Sequence, residues 1–200
     1  VTARIRLAQA LDAEAIAAIY RPYVDDTVIS FEAVAPDQEE MARRIIETLP
    51  LYPWLVSEFE DHVTGYAYAA RHRVRDAYRW SVDVSVYISQ SYHRRGVGRA
   101  LYTSLFAILA AQGFVNAYAG VTLPNPASVG LHEALGFTKV GVYERVGFKF
   151  GAWHDVGWWQ SPLRPRDSSP SEPLDMAAVR ARPDWNNLLA RGESKLRGVQ

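Results

Sequence analysis

The sequence predicts a mixed α/β domain, and three observations carry that prediction. Strand-like and helix-like stretches alternate along residues 3–163. WSVDVSVYI at 80–88 alternates strictly, with Trp80, Val82, Val84, Val86 and Ile88 on one face and Ser81, Asp83, Ser85 and Tyr87 on the other. The stretch after HRRGVG then changes period, placing Leu101, Leu105, Ile108 and Leu109 at i, i+4, i+7 and i+8 of a helix that stops at Gly113. With 48% apolar residues in a chain of 200, one well-buried domain is within reach.

Taken in order, residues 3–7 read as a short strand. Asp12 is placed to cap a helix over 13–20, with Leu11 and Ile16 as a hydrophobic staple. Asp37 caps a second helix whose apolar stripe is Met41, Ile45 and Leu49. WLVSEFE (54–60) and VTGYAYAA (63–70) form a hairpin turning at Asp61-His62. FVNAYAGVTL (114–123) is a strand, and Asn125-Pro126 supplies the cap and first-turn proline of a helix ending before Gly136. Residues 137–150 and 151–163 read as two final strands. From Arg164 the composition shifts to RPRDSSPSEP, a linker by its Pro and Ser content. Residues 174–200 hold at most one short helix, so the expected domain is 1–163, with 164–200 an appendage rather than core.

Composition narrows the function. Lys+Arg equals Asp+Glu, which argues against a duplex-binding surface. The absence of cysteine removes disulfides, thiolate metal sites and a cysteine-linked acyl intermediate. No stretch approaches the roughly 18–20 apolar residues that span a bilayer, and VTARIRLAQALDAEAI has neither a signal-peptide nor a transit-peptide pattern. The expectation is a soluble, cytoplasmic protein with no nucleic-acid or membrane partner. His62, His72 and His154 lack metal-ligand spacing and HEALG is not HExxH, so no metal is expected.

The strand, glycine turn and helix start around HRRGVG make an anion site, because backbone N–H groups and the helix dipole converge there. A Walker loop would need Gly-Lys-Ser/Thr, and a dinucleotide fingerprint would need a third glycine where GVGRAL has leucine. A coenzyme A pyrophosphate is the third ligand reading, and a plain tight turn with a solvated arginine pair stands beside it. Asn125-Pro-Ala-Ser128 opens a second helix, and its end would meet the first across the sheet.

Blocks spread over residues 4–163 resemble one family: IYRPYV, ISFE, YPWLV, GYAYA, RVRDAY, WSVDVSVYI, RRGVGRALY, LPNPASVGLHEALGF and GFKFGAWHDVGWWQ. The chain is similar to the GNAT superfamily of N-acetyltransferases, and within it to the phosphinothricin and methionine sulfone or sulfoximine acetyltransferases. The resemblance implies a GNAT fold, a mostly antiparallel sheet splayed in a V and flanked by helices. Acetyl-CoA would be wedged between strands 80–88 and 114–123. By the same resemblance, the backbone of Val86, Tyr87 and Ile88 pairs with the pantetheine arm. Arg94, Arg95, Gly96, Val97, Gly98 and Arg99 cradle the pyrophosphate, with His93 where the family usually has Gln or Arg. Asn125 bonds the arm with Ser128 close by. Homodimers are common in the family.

Acetyl transfer needs a neutral amine, a held oxyanion and a proton for the departing thiolate. An α-amine with a pKa near 8 is about a tenth neutral at pH 7, so a weak base suffices. Asp83 is the base candidate, standing where the family usually has glutamate and shorter by one methylene. His132 shares a helix face with Asn125 and Ser128 and is the candidate for managing the thiolate proton. If 70–78 is extended, Arg71, Arg73 and Arg75 point the same way and clamp an acid group. Resemblance assigns Arg73, Val74, Arg75, Asp83, Val84 and Ser85 to the substrate, with Phe31 and Glu32 on the opposite wall. Trp153, Trp158 and Trp159 read as core or dimer interface. The expected reaction is transfer from acetyl-CoA to the α-amine of a phosphinothricin- or methionine sulfone-like molecule. An acetyltransferase for protein N-termini or polyamines, or a catalytically weak coenzyme A sensor, stands as the alternative.

Overall fold

The computed structural model of the chain describes residues 3–196. Seven strands form one sheet: β1 (Arg4–Leu7), β2 (Trp54–Phe59), β3 (His62–Arg71), β4 (Ser81–Ile88), β5 (Asn116–Leu123), β6 (Thr138–Lys149) and β7 (Ala152–Pro162). Their order is β1-β2-β3-β4-β5-β7-β6, antiparallel at every step except β4–β5. The mixed α/β expectation holds, as does the mostly antiparallel sheet.

Each face of the sheet buries a different helix set. On one, α3 (Val97–Gln112) lays Leu101, Leu105, Ile108 and Leu109 against Val82, Val84, Ala67 and Ala69. On the other, α1 (Ala13–Asp25) and α2 (Gln38–Thr48) cover Trp54, Val56 and Tyr66. α4 (Pro126–Ala134) follows β5, capped by Asn125, whose side chain accepts from Ser128 N–H at 3.1 Å. Asp37 caps α2 in the same way, through Glu40 N–H at 2.9 Å.

Four expectations need correction. Asp12 does not cap α1: it has helical dihedrals and makes no capping bond. Its two oxygens accept from Arg6 at 2.7 Å each, and a bidentate carboxylate–guanidinium pair outweighs a single bond to a backbone N–H. Leu11 is 89% exposed, so there is no staple. The helix runs through Pro22 to Asp25 because Ile16, Tyr20 and Val24 continue one buried stripe, offsetting the N–H that proline lacks. The β2–β3 hairpin turns at Glu60-Asp61, both with positive φ (48° and 61°), one residue earlier than expected.

The tail differs most. It carries two short helices, α5 (Met176–Arg180) and α6 (Trp185–Ala190), and is docked on the α3 side of the sheet. Met176 and Val179 are buried in the main core. Ser104 Oγ donates to the Leu189 carbonyl at 2.6 Å and accepts from Gly192 N–H at 3.0 Å. Glu193 accepts from Ile5 N–H at 2.8 Å along the edge strand β1. The linker composition hid apolar residues that only meet a partner once the sheet exists.

Candidate active site

Strands β4 and β5 share register at only three positions: Ser81 with Asn116, Val82 with Ala117, and Asp83 with Tyr118. Past Asp83 they part, which is the expected splay. A slot of about 60 Å³ lies in the gap. Val84, Ser85, Val86 and Tyr87 line it from β4, residues 119–122 from β5, and Asn125, Ser128 and His132 from α4. Ile29 and Tyr102 complete the wall. Seven of the residues singled out from the sequence therefore meet at one place. Ile88 is set apart: its carbonyl accepts from Tyr23 hydroxyl at 2.6 Å, with His93 Nε2 3.1 Å away.

The loop at the slot's end suits a phosphate. Arg94 and Gly96 both sit in left-handed backbone (φ 61° and 83°), which turns successive N–H groups toward one side. Gly96 precedes α3 without a side-chain cap, so the helix N-terminus keeps its donors and its dipole for a ligand. Arg95 lies over Tyr92 at 5.3 Å, and Arg99 reaches the Ala134 carbonyl at 3.3 Å. A Cβ on Gly98 would stand 3.2 Å from Leu131, so this turn packs tightly between α3 and α4.

His132 is 3% exposed and both ring nitrogens are engaged. Nδ1–H donates to the Ser128 carbonyl at 2.8 Å, and Nε2 accepts from Tyr102 hydroxyl at 3.2 Å. Burial lowers its pKa, partly opposed by the Ser128 carbonyl, so the ring is neutral at pH 7.

Asp83 stands at the apex where the strands part. Burial raises its carboxyl pKa, opposed by a bond to His72 and by the charge of Arg73. The His72 Nδ1 to Asp83 Oδ1 distance is 2.6 Å. The imidazole stacks on Tyr118 (4.2 Å between centroids, 13° between planes) and meets Trp158 edge-on at 6.2 Å. Register explains the meeting: Ala70, Asp83 and Tyr118 are aligned on adjacent strands, and His72 follows just past the end of β3.

The arginine expectation is corrected in part. β3 ends at Arg71 and residues 72–75 bend, so Arg71, Arg73 and Arg75 do not form one extended row. Arg71 Nε donates to the Arg73 carbonyl at 2.9 Å and its Nη2 to Val74, bracing the bend from within. Arg73 lies over the Trp158 indole at 5.5 Å, while Val74 and Arg75 are exposed. On the other wall, Phe31 packs near His154. Arg44 holds the Glu32 carboxyl below the ordinary range, assisted by Tyr20 hydroxyl against the opposing effect of burial. Tyr20 and Arg44 also line a second cavity of about 130 Å³ with Met41, Thr48, Trp54, Tyr66 and Tyr68. Sequence reasoning missed His72, Tyr102, Tyr23 and the placement of Trp158. Only the β3–β4 register could have flagged the first.

A slot between diverging parallel strands, beside an uncapped helix start and a left-handed arginine-glycine turn, suits a long ligand that carries phosphate. Residues 5–158 match the acetyltransferase (GNAT) domain family, and the chain belongs to that family. It is an acetyl-CoA-dependent N-acetyltransferase. It is 41% identical over 170 residues to a phosphinothricin N-acetyltransferase of Streptomyces viridochromogenes, covering 83% of this chain and 93% of that one. A methionine sulfoximine/methionine sulfone acetyltransferase of Salmonella typhimurium is 36% identical over 160 residues, covering 80% and 94%. Among solved structures, a phosphinothricin acetyltransferase from Sinorhizobium meliloti in complex with acetyl-CoA superposes with a TM-score of 0.80 at 37% identity, covering 87% of this chain and 96% of that one. Among the described residues, no helix is long and apolar enough to cross a membrane.

Proposed function

We propose that the enzyme acetylates the α-amine of a small amino-acid-like compound of the phosphinothricin, methionine sulfone or methionine sulfoximine type, by direct transfer in a ternary complex. The observation that carries this reading is the position of Asp83, the last residue of β4 paired with β5 and the one before Val84, where the lining of the slot begins. The relatives' substrates share an α-amine next to an acid group, and Arg73 and Arg75 supply positive charge at the same edge.

In this reading the turn from Arg94 to Arg99, with Val97 opening the helix, takes the pyrophosphate through main-chain N–H groups. Val86, Tyr87 and Ile88 take the pantetheine arm along β4, with Asn125 and Ser128 facing it. Tyr23 must release the Ile88 carbonyl if that group is used. Arg73, Val74 and Arg75 border the substrate on one side, Phe31 and Glu32 on the other, and Val84 and Ser85 lie beneath it. The amine proton leaves toward Asp83. His132, neutral and on the slot wall, manages the thiolate proton. Residues 1–163 carry the catalytic and binding groups, and the enzyme works in the cytoplasm.

The same reading includes a homodimer. Val140, Tyr143, Val146, Phe148, Phe150 and Trp153 are all at least half exposed along the β6–β7 hairpin, a patch that a second copy would cover. Sedimentation of the Phe148→Asp/Trp153→Asp variant should give a monomer; an unchanged state overturns this part.

The test of the whole is thiol release from acetyl-CoA with a panel of amines. Phosphinothricin and methionine sulfone should turn over, and Arg73→Ala/Arg75→Ala should raise their KM. Turnover confined to polyamines or peptide N-termini would move the substrate to those classes.

A further inference from the structure

The geometry points to His72 as the group that accepts the amine proton, with Asp83 as its anchor. This inference rests on the acetyl-transfer reading above and places His72 between the amine and Asp83 on the proton's path. Three observations carry it.

The first is the bond itself. Nδ1 of His72 and Oδ1 of Asp83 are 2.6 Å apart, with side-chain exposures of only 10% and 33%. A pair so sheltered is not a loose surface contact screened by water. The second is the clamp on the ring. Tyr118 stacks flat on the imidazole, while Trp158 and Tyr78 meet its edges at 6.2 and 6.0 Å. The third is the opposite nitrogen. Nε2 has no hydrogen-bond partner among the described residues, and it is not among the buried unpartnered atoms either. It is therefore neither bonded nor fully sealed, and it lies on the imidazole edge away from Asp83.

Chemistry favours the same division of labour. A carboxylate is a poor match for an α-ammonium, whereas imidazole as a class titrates much nearer to it. A carboxylate accepting from Nδ1–H fixes the tautomer in which the Nε2 lone pair is free, the arrangement used by imidazole–carboxylate pairs in hydrolases. Nε2 takes a proton from the substrate ammonium, and the freed lone pair forms the C–N bond at the acetyl carbonyl. The C–S bond then breaks and its electron pair leaves on sulfur. Two protons leave the nitrogen in all. One returns to the thiolate and the other passes from His72 to solvent, so the ammonium and acetyl-CoA give the amide, the free thiol and one proton.

The experiment compares wild type, His72→Asn, Asp83→Asn, the double variant and His72→Ala with phosphinothricin or methionine sulfone as acceptor. His72→Asn should lose on the order of 10²-fold in kcat, with acetyl-CoA binding, read by calorimetry, unchanged. The double variant should be no slower than the slower single one, because the two residues act as a unit. Added imidazole should restore turnover to His72→Ala, which a merely structural histidine would not allow. Full turnover in His72→Asn, or additive losses without imidazole rescue, overturns the inference while leaving the reaction standing. Failure of wild type to release thiol with any amino acid would overturn the reaction itself.

Discussion

The ring of Phe31 lies so close over Gly147 that a Cβ built on that glycine would stand 2.1 Å from Phe31 Cε2. This contact joins the segment between α1 and α2 to strand β6. Lys149 reinforces it, its Nζ donating to the carbonyls of Val24 and Ser30 at 2.5 and 2.7 Å. The wall expected to face the substrate is thus held by the β6–β7 hairpin.

Gly147→Ala should therefore push Phe31 away and misplace that wall. Displacements of about 1 Å at a reacting centre cost up to 10²-fold. Steady-state kinetics should show a higher KM for the amine or a lower kcat, while KM for acetyl-CoA stays put. An unaltered amine KM and kcat would mean the wall does not touch the acceptor.

At the other end of the slot, Gly96 has φ 83°, a conformation that costs other L-residues roughly 1–2 kcal/mol. Gly96→Ala lets the free loop relax, and binding must then restore the strained turn. Acetyl-CoA affinity should fall about tenfold, 1.4 kcal/mol corresponding to one decade. Calorimetry on the variant reads this directly, with amine KM as the internal control.

The tail is held through Ser104, which is fully buried and serves two backbone groups at once. Ser104→Ala leaves the Leu189 carbonyl and the Gly192 N–H without that partner. A loss of about 1–3 kcal/mol is expected, since an orphaned buried group carries its desolvation cost. Urea unfolding should show the midpoint shift, and proteolysis should cut first within 164–196.

Acid should weaken the joint between β1, β2 and α1. Burial works to raise the carboxyl pKa of Asp12, but its bonds to Arg6 and Gln9 N–H outweigh it and the net shift is downward. Glu58 follows the same pattern, with Arg6 and Arg4 outweighing its burial. A pKa lower in the folded state than in the unfolded one stabilises the fold above the unfolded value and is lost as pH falls through the folded value. Unfolding midpoints should stay level from pH 7 to about 5 and drop below about pH 4. Asp12→Asn should flatten part of that drop.

Much of the candidate site is legible in the sequence. Residues 80–88 announce their two faces by alternation, and the slot is built from the face-alternating neighbours of that strand. Asn125 and Gly96 declare their roles locally, one as a helix cap and the other as a turn that needs left-handed backbone. His72 was illegible for the opposite reason. Nothing in ARHRVRDAY marks it, and it meets Asp83 only because the β3–β4 register sets Ala70 opposite that carboxylate. His132 was found by helix spacing, yet its engagement with Tyr102 depends on how α3 and α4 cross.

By itself, then, the order of residues determined the seven strands, the four main helices and the phosphate-ready turn, because periodicity, caps and glycines act within a few positions of the chain. The splay of β4 from β5, the anchoring of His72, the fate of Asp12 and the docking of 174–196 were decided only by tertiary structure. Each of these depends on groups from 6 to 188 residues apart, such as Arg6 with Asp12 and Ile5 with Glu193. Charge pairing and burial can only choose such partners once the sheet has brought them together.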